Sequence, residues 1–232
     1  MRPRLSWPRK WRPPEVSPRV SFTYFEIIDT CQRRGCPLCR LRAGFVQRSL
    51  GSLLYENVND PDIRERLRRS LGWCAQHASL LPGADQSPAL GVAIITQDLV
   101  HLCLSTLSNK HPERGLTPTD ACPACQYEAE VEDLLGWNVA AHLDRRELRE
   151  ALQASDGICV PHVRAILPRL GDKEARSFLL SLTRQKLQAL DDRLGMLIRH
   201  HDYRFNQDPM DEEERDSWMR ALRMLSGIAD PS

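Results

Sequence analysis

Apolar positions along this chain recur at three- and four-residue steps, with no sustained alternation of period two. That spacing places them on one face of a helix, so the pattern predicts an all-α fold. The stretches EIIDTCQR (26–33) and CRLRAGFVQRSLGSLLYEN (39–57) read as helices. DPDIRERLRRSLG (60–72) opens with Asp60-Pro61, a cap and first-turn pair, and closes at Gly72, a candidate C′ residue. CAQHASLL (74–81) reads as a short helix and SPALGVAIITQDLVHLCLSTLSN (87–109) as a long buried one. The same order follows in CQYEAEVEDLLGWNVAAHL, DRRELREALQAS, CVPHVRAILPRL and the long KEARSFLLSLTRQKLQALDDRLGMLIRHH.

The order repeats because the chain does. Cys36-Pro37-Leu38-Cys39 matches Cys122-Pro123-Ala124-Cys125, and SLGWCAQH (70–77) matches SDGICVPH (155–162). The two pairs are separated by 34 residues in the first copy and 33 in the second. Four metal-type residues and a glycine at matched positions point to an internal duplication. The chain divides into a basic Pro/Trp-rich arm (1–20), repeat 1 (21–110), a polar linker (111–119), repeat 2 (120–204) and an acidic tail with a short helix (205–232). The repeats are expected to pack about a pseudo-twofold axis, each laying its long helix on the other.

The repeated residues carry the chemistry. A Cys-x-x-Cys joined to a distant Cys-x-x-His supplies three thiolates and one imidazole, a complete tetrahedral set for zinc. Residues three apart on a helical turn share a face, so Cys74 with His77, and Cys159 with His162, can address one ion. Pro37 and Pro123 suit the first turn of a helix that begins at the knuckle, where the N-terminus favours a thiolate. The metal ligands are therefore Cys36, Cys39, Cys74 and His77 in repeat 1, and Cys122, Cys125, Cys159 and His162 in repeat 2. Near-equal spacing favours local pairing, each repeat closed by its own Cys3His site; a swapped pairing between repeats is the alternative. The expected cofactor is zinc, two ions per chain, with an iron–sulfur cluster as the rival reading. Four protein ligands leave no open position for water, which argues for structural metals and against a metalloenzyme.

Other features narrow the function less. The sequence contains no Gly-rich phosphate loop, His-Glu-x-x-His or Gly-x-Ser-x-Gly motif to identify an enzyme. Helical carboxylates alternate with Arg and Lys as on a solvated face. Cys31, Cys103, His101, His142, His200 and His201 lack a partner pattern and read as ordinary helix residues; His111, in the linker, has no partner pattern either. Leu180, Leu187, Leu190, Leu194 and Leu197 form a narrow seam, read as a core face, with homodimerisation through 180–197 as the alternative.

Formal charge is only +1, but residues 1–19 hold six basic groups against Glu15, and the remainder is net acidic. In that arm Arg2, Arg4, Arg9, Lys10 and Arg12 alternate with Trp7 and Trp11, a composition that could hold phosphates while the indoles stack on bases. A solvated tail with no specific role is the plainer reading of such an arm; docking on a protein groove and folding back on the acidic tail are its other uses. The start has no apolar h-region, and the most apolar run, ALGVAII (89–95), is short for a bilayer, so no membrane association is expected. Clustered cysteines then fit metal binding in the reducing cytoplasm better than disulfides.

The paired signature CPLC…SLGWCAQH and CPAC…SDGICVPH, with LLYENVNDPDIRERLRRS inside the first, resembles a family of uncharacterised prokaryotic proteins with the same cysteine and histidine pattern, over roughly residues 22–200. The resemblance implies a duplicated helical metal-site architecture and a soluble location, and no substrate. The expected role is a binding or regulatory module; an iron–sulfur or thiol redox sensor and a nucleic-acid-associated factor are the alternatives.

Overall fold

A computed structural model describes residues 22–84, 89–202 and 209–230, so the arm residues Arg2 to Arg12 lie outside the described residues. Among the described residues the regular structure is entirely helical. Repeat 1 contains α1 (Phe22–Thr30), α2 (Pro37–Tyr55), α3 (Pro61–Arg69), α4 (Ala75–Ala78) and α5 (Ala89–Leu107). A short α6 (Pro112–Gly115) lies in the linker. Repeat 2 contains α7 (Pro123–His142), α8 (Arg146–Ala154), α9 (Val160–Ile166) and α10 (Lys173–His200), and α11 (Glu212–Ser226) follows.

Local chemistry sets the ends. Pro37 and Pro123 open α2 and α7, with Cys36, in an extended conformation, and Cys122 as the capping residues before them. The Asp60 carboxylate accepts from the Asp62 and Ile63 N–H groups to cap α3. At the far end the turn differs slightly from expectation. Leu71 takes the left-handed conformation (φ 52°) and Gly72 follows it at φ 93°, its N–H bonded to Leu67 O at 2.7 Å. That 6→1 bond is a Schellman closure, with Leu71 rather than Gly72 at C′. Gly157, the matching glycine, also has positive φ (91°). These glycines turn the chain so that the following cysteine can begin the next helix.

The repeats meet through α2 and α7, rather than through the long helices α5 and α10 as the sequence suggests. Leu38 near the start of α2 packs with Val131, Leu135 and Val139 of α7, while Val46 and Leu50 pack with Ala124. The two helices therefore run antiparallel. The larger core gathers Tyr24, Ile27 and Leu38 with Leu148, Leu152, Ile166 and Leu179 of repeat 2. The smaller one joins Val46, Leu50 and Leu54 to Leu67, Ile95 and the α7 knuckle. Each core thus draws on both repeats, so neither half buries its apolar surface alone.

Helix α5 lies on α2, α3 and α6. A Cβ at Gly91 would stand 2.3 Å from the Leu54 carbonyl oxygen, so glycine is what lets these helices approach. The apolar run extends beyond ALGVAII, because Leu99, Val100, Leu102 and Leu104 continue it after Asp98. By length and composition α5 could cross a membrane. Its charged residue Asp98 is instead held at 3.2 Å by Arg64 and 2.6 Å by Arg68 of α3. Leu187 and Leu190 of the expected α10 seam pack with Met224 of α11 from the same chain, whereas Leu180 is exposed.

Candidate metal centres

All eight predicted ligands converge into two groups, but across the repeats. Cys36 and Cys39 meet Cys159 and His162; Cys74 and His77 meet Cys122 and Cys125. Local pairing, with each repeat closed by its own ion, is thus overturned. The reason lies in how the 34-residue insert is spent. Helix α2 travels about 28 Å away from its knuckle, and the nine residues of α3 return only about 13 Å. Cys74 and His77 are left at the far end of α2, where antiparallel α7 begins.

In the first centre, Cys39 Sγ lies 3.5 Å from Cys159 Sγ and 3.4 Å from His162 Nδ1. His162 Nδ1 is 3.0 Å from Cys159 Sγ and 3.6 Å from Cys36 Sγ. In the second, Cys74 Sγ lies 3.6 Å from Cys125 Sγ and 3.3 Å from His77 Nδ1. His77 Nδ1 is 3.3 Å from Cys125 Sγ and 3.9 Å from Cys122 Sγ. A tetrahedral ion with zinc-like bond lengths would hold sulfur–sulfur edges of about 3.8 Å and sulfur–nitrogen edges of about 3.6 Å. The donor atoms, all within 4.8 Å of one another, thus stand close to the separations a single ion requires, with three sulfurs and one Nδ1 in each set.

The protein's own groups already favour charge at some of these donors and oppose it at others. Burial pushes the Cys36 thiol up, but hydrogen bonds from Cys159, Cys39 and His162 outweigh it and hold the thiol well below its ordinary range. Burial opposes charge on His162, yet its contacts with Cys159, Cys36 and Glu132 raise it to about 11. Burial likewise works against the Cys74 thiolate, and the His77 backbone N–H with the Cys125 and Cys122 side chains prevails, lowering it. Burial, then contact with Cys74, pushes Cys125 up to about 12. A divalent ion bound here would take the place of thiol protons.

Beyond the ligands lies a chain of charges whose alternation along the sequence reads as a solvated face. Glu132 Oε2 is 2.7 Å from His162 Nε2, and Glu128 Oε2 is 3.5 Å from His77 Nε2. Arg42 of α2 joins them, at 2.7 Å from Glu132 and 3.5 Å from Glu128. Both outer nitrogens are buried and make no well-aligned hydrogen bond, so each carboxylate acts on its ring through charge and proximity, on the side away from the ligating Nδ1. The signal available beforehand was the spacing of Glu128 and Glu132, one helical turn apart after the knuckle.

The centres differ in cover. Cys39 donates to Gly227 O at 3.3 Å, and Arg42 Nη2 donates to the same carbonyl at 3.0 Å. Gly227 ends α11 at φ 74°, and Met224 of that helix packs on Cys39 and Cys159. In the first centre only Cys36 is half-buried, the other three being buried; in the second Cys74 and Cys125 are half-buried, with His77 and Cys122 buried. Of the remaining candidates, Cys31 is buried in the core, which pushes its thiol up to about 12. His142 packs edge-on against Tyr24 at 5.1 Å. Neither joins a ligand group.

The DUF6062 family, described as a family of unknown function, matches residues 24–118 and again 107–232. This chain belongs to that family. The two matches correspond to the two repeats and bear out the duplication seen in the signatures. An uncharacterized 23.9 kDa protein in the xynA 3′ region of Caldicellulosiruptor sp. (strain Rt8B.4) is 25% identical over 207 residues, spanning 87% of this chain and 99% of the relative. No solved structure matches the chain.

Proposed function

We propose that this DUF6062 protein is a zinc-stapled helical module that binds or regulates a partner, each chain holding two structural ions. The single observation behind this reading is the pair of closed four-donor groups, with donor atoms all within 4.8 Å of one another and the closest pairs 3.0 to 3.9 Å apart. An iron–sulfur cluster spreads its ligating sulfurs over more than one metal atom, so such short edges favour a mononuclear ion. With every coordination position filled by protein, the ion stabilises and does not activate water. Each ion joins residues about 120 or 50 positions apart, and so cross-links the two halves of the fold. All eight cysteines are free thiols, which suits a reducing cytoplasmic setting.

Metal analysis of protein purified without added metal tests this directly. Two zinc ions per colourless chain are expected. Iron with acid-labile sulfide, or a chain that folds with no metal and reversibly oxidises its clustered thiols, would overturn the structural-zinc reading in favour of a redox sensor.

A further inference from the structure

The duplication supplies an internal control for surface chemistry. The buried pairs Gly91 with Ala175 and Ile95 with Leu179 align α5 with α10. In that frame one solvent-facing seam of α10 reads Glu174, Ser177, Ser181, Arg184, Gln188 and Asp191, all polar and all exposed. The same seam of α5 reads Leu90, Ala93, Gln97, Val100, Leu104 and Leu107, also exposed throughout. Leu90 is 72% exposed, Val100 54%, Leu104 58% and Leu107 59%. The fold evidently tolerates a hydrophilic seam at this position, since repeat 2 has one. Apolar side chains in repeat 1 therefore answer to something outside the described chain.

We infer that the α5 seam is an isologous dimer interface, occupied by α5 of a second copy of this chain. Three observations select that occupant. First, spacings of three and four residues alternate through the seam, the pattern by which helices interlock along their length. Second, the seam is self-complementary when the two helices run antiparallel. Leu90 then faces Leu107, small Ala93 faces large Leu104, and Gln97 faces Val100, each pair made twice as twofold symmetry demands. Gln97 near the centre would fix the register, as a single polar seam residue does in coiled coils. Third, the seam has no charge: Asp98 is turned to Arg64 and Arg68 of α3. A basic segment such as residues 1–19 gains nothing electrostatic there, and interfacial membrane helices carry Lys or Arg on the flanking face. A second α5 matches it in both shape and neutrality. Helix and flanks together reach the lower edge of specific interfaces, on the order of 1,000 Å² in total, so a dimer that dissociates in the micromolar range is expected.

Sedimentation of the full metal-loaded chain across a concentration series tests this. The wild-type chain should pass from monomer to dimer. Val100→Asp and Leu104→Arg should each weaken that step by about 100-fold or more. Both sites are exposed, so metal content and helicity should stay unchanged, which separates this test from failure of the zinc reading. Dimers that survive both substitutions overturn the inference. So does a wild-type chain that stays monomeric throughout, whether α5 then proves to be covered by residues 1–21 or binds phosphatidylcholine–phosphatidylglycerol vesicles. Growth beyond a dimer would overturn it too, pointing to a head-to-tail contact of α5 with exposed Trp218, Leu222 and Leu225 of the next copy.

Discussion

Arg42 and Glu128 occupy the same position in the two repeats, six residues beyond Cys36 and Cys122, and they face each other across the α2–α7 contact at 3.5 Å. A residue on a twofold axis meets its own copy, and two like charges there would repel. Duplication within one chain frees the two copies to differ, and here one is a cation and the other an anion. Glu132 closes the group at 2.7 Å from the same guanidinium. The result is a line of charge, His77–Glu128–Arg42–Glu132–His162, running from one metal centre to the other.

Removing the middle of that line should damage both ends. Arg42→Ala leaves two half-buried carboxylates beside each other without a cation. We expect a loss of roughly 2–3 kcal/mol in denaturant unfolding and roughly tenfold weaker metal retention at both centres. Exchanging the pair, Arg42→Glu with Glu128→Arg, should recover part of the stability. Competition with a chromophoric chelator reads the affinities; a change confined to one centre would show that Arg42 does not link them.

Metal stoichiometry checks the cross-repeat pairing. Cys39→Ser and Cys159→Ser should each release the same single ion, and the double variant should still hold one. Cys39→Ser combined with Cys74→Ser should release both. Local pairing predicts the reverse for the two double variants.

What was legible in the sequence follows from what each inference needs. The eight ligands could be named because thiolate and imidazole are rare residue types whose spacing repeats. Their grouping could not, because it depends on α2 being twice the length of α3, and helix ends shift by a residue or two in any pattern reading. Arg42, Glu128 and Glu132 looked like ordinary helix-surface charge, since alternation with opposite charges is also how a solvated face reads. Only the antiparallel contact turns them inward. The apolar seam of α5 shows as hydrophobicity but reads as core, because periodicity cannot tell a face buried within the chain from one left exposed.

The two outer carboxylates should not matter equally. Glu132 lies 2.7 Å from its histidine and Glu128 3.5 Å, so Glu132→Gln should weaken the Cys36–Cys39–Cys159–His162 centre by about 10- to 100-fold. Glu128→Gln should cost the other centre less. Cobalt substitution gives each centre its own thiolate absorption bands, and titrating the two variants against a chelator would rank them. Equal losses would mean that the difference in distance carries no energetic weight.

Asp98 offers a test of the α3–α5 contact by pH. Its hydrogen bond from Arg68 comes first, burial opposes it, and Arg64 adds to it, so the carboxyl is held below its ordinary range. A group depressed in the folded state stabilises at pH values above its unfolded pKa, about 3.9, and that stabilisation fades as pH falls through the lower folded value. Asp98→Asn should therefore be less stable than wild type by about 1 kcal/mol at neutral pH. The gap should stay level down to about pH 5 and close below about pH 4. Urea midpoints of the two proteins, compared at each pH in the same metal state, give this difference directly. A gap that stays constant into acid would mean that Asp98 acts through packing rather than through its charge.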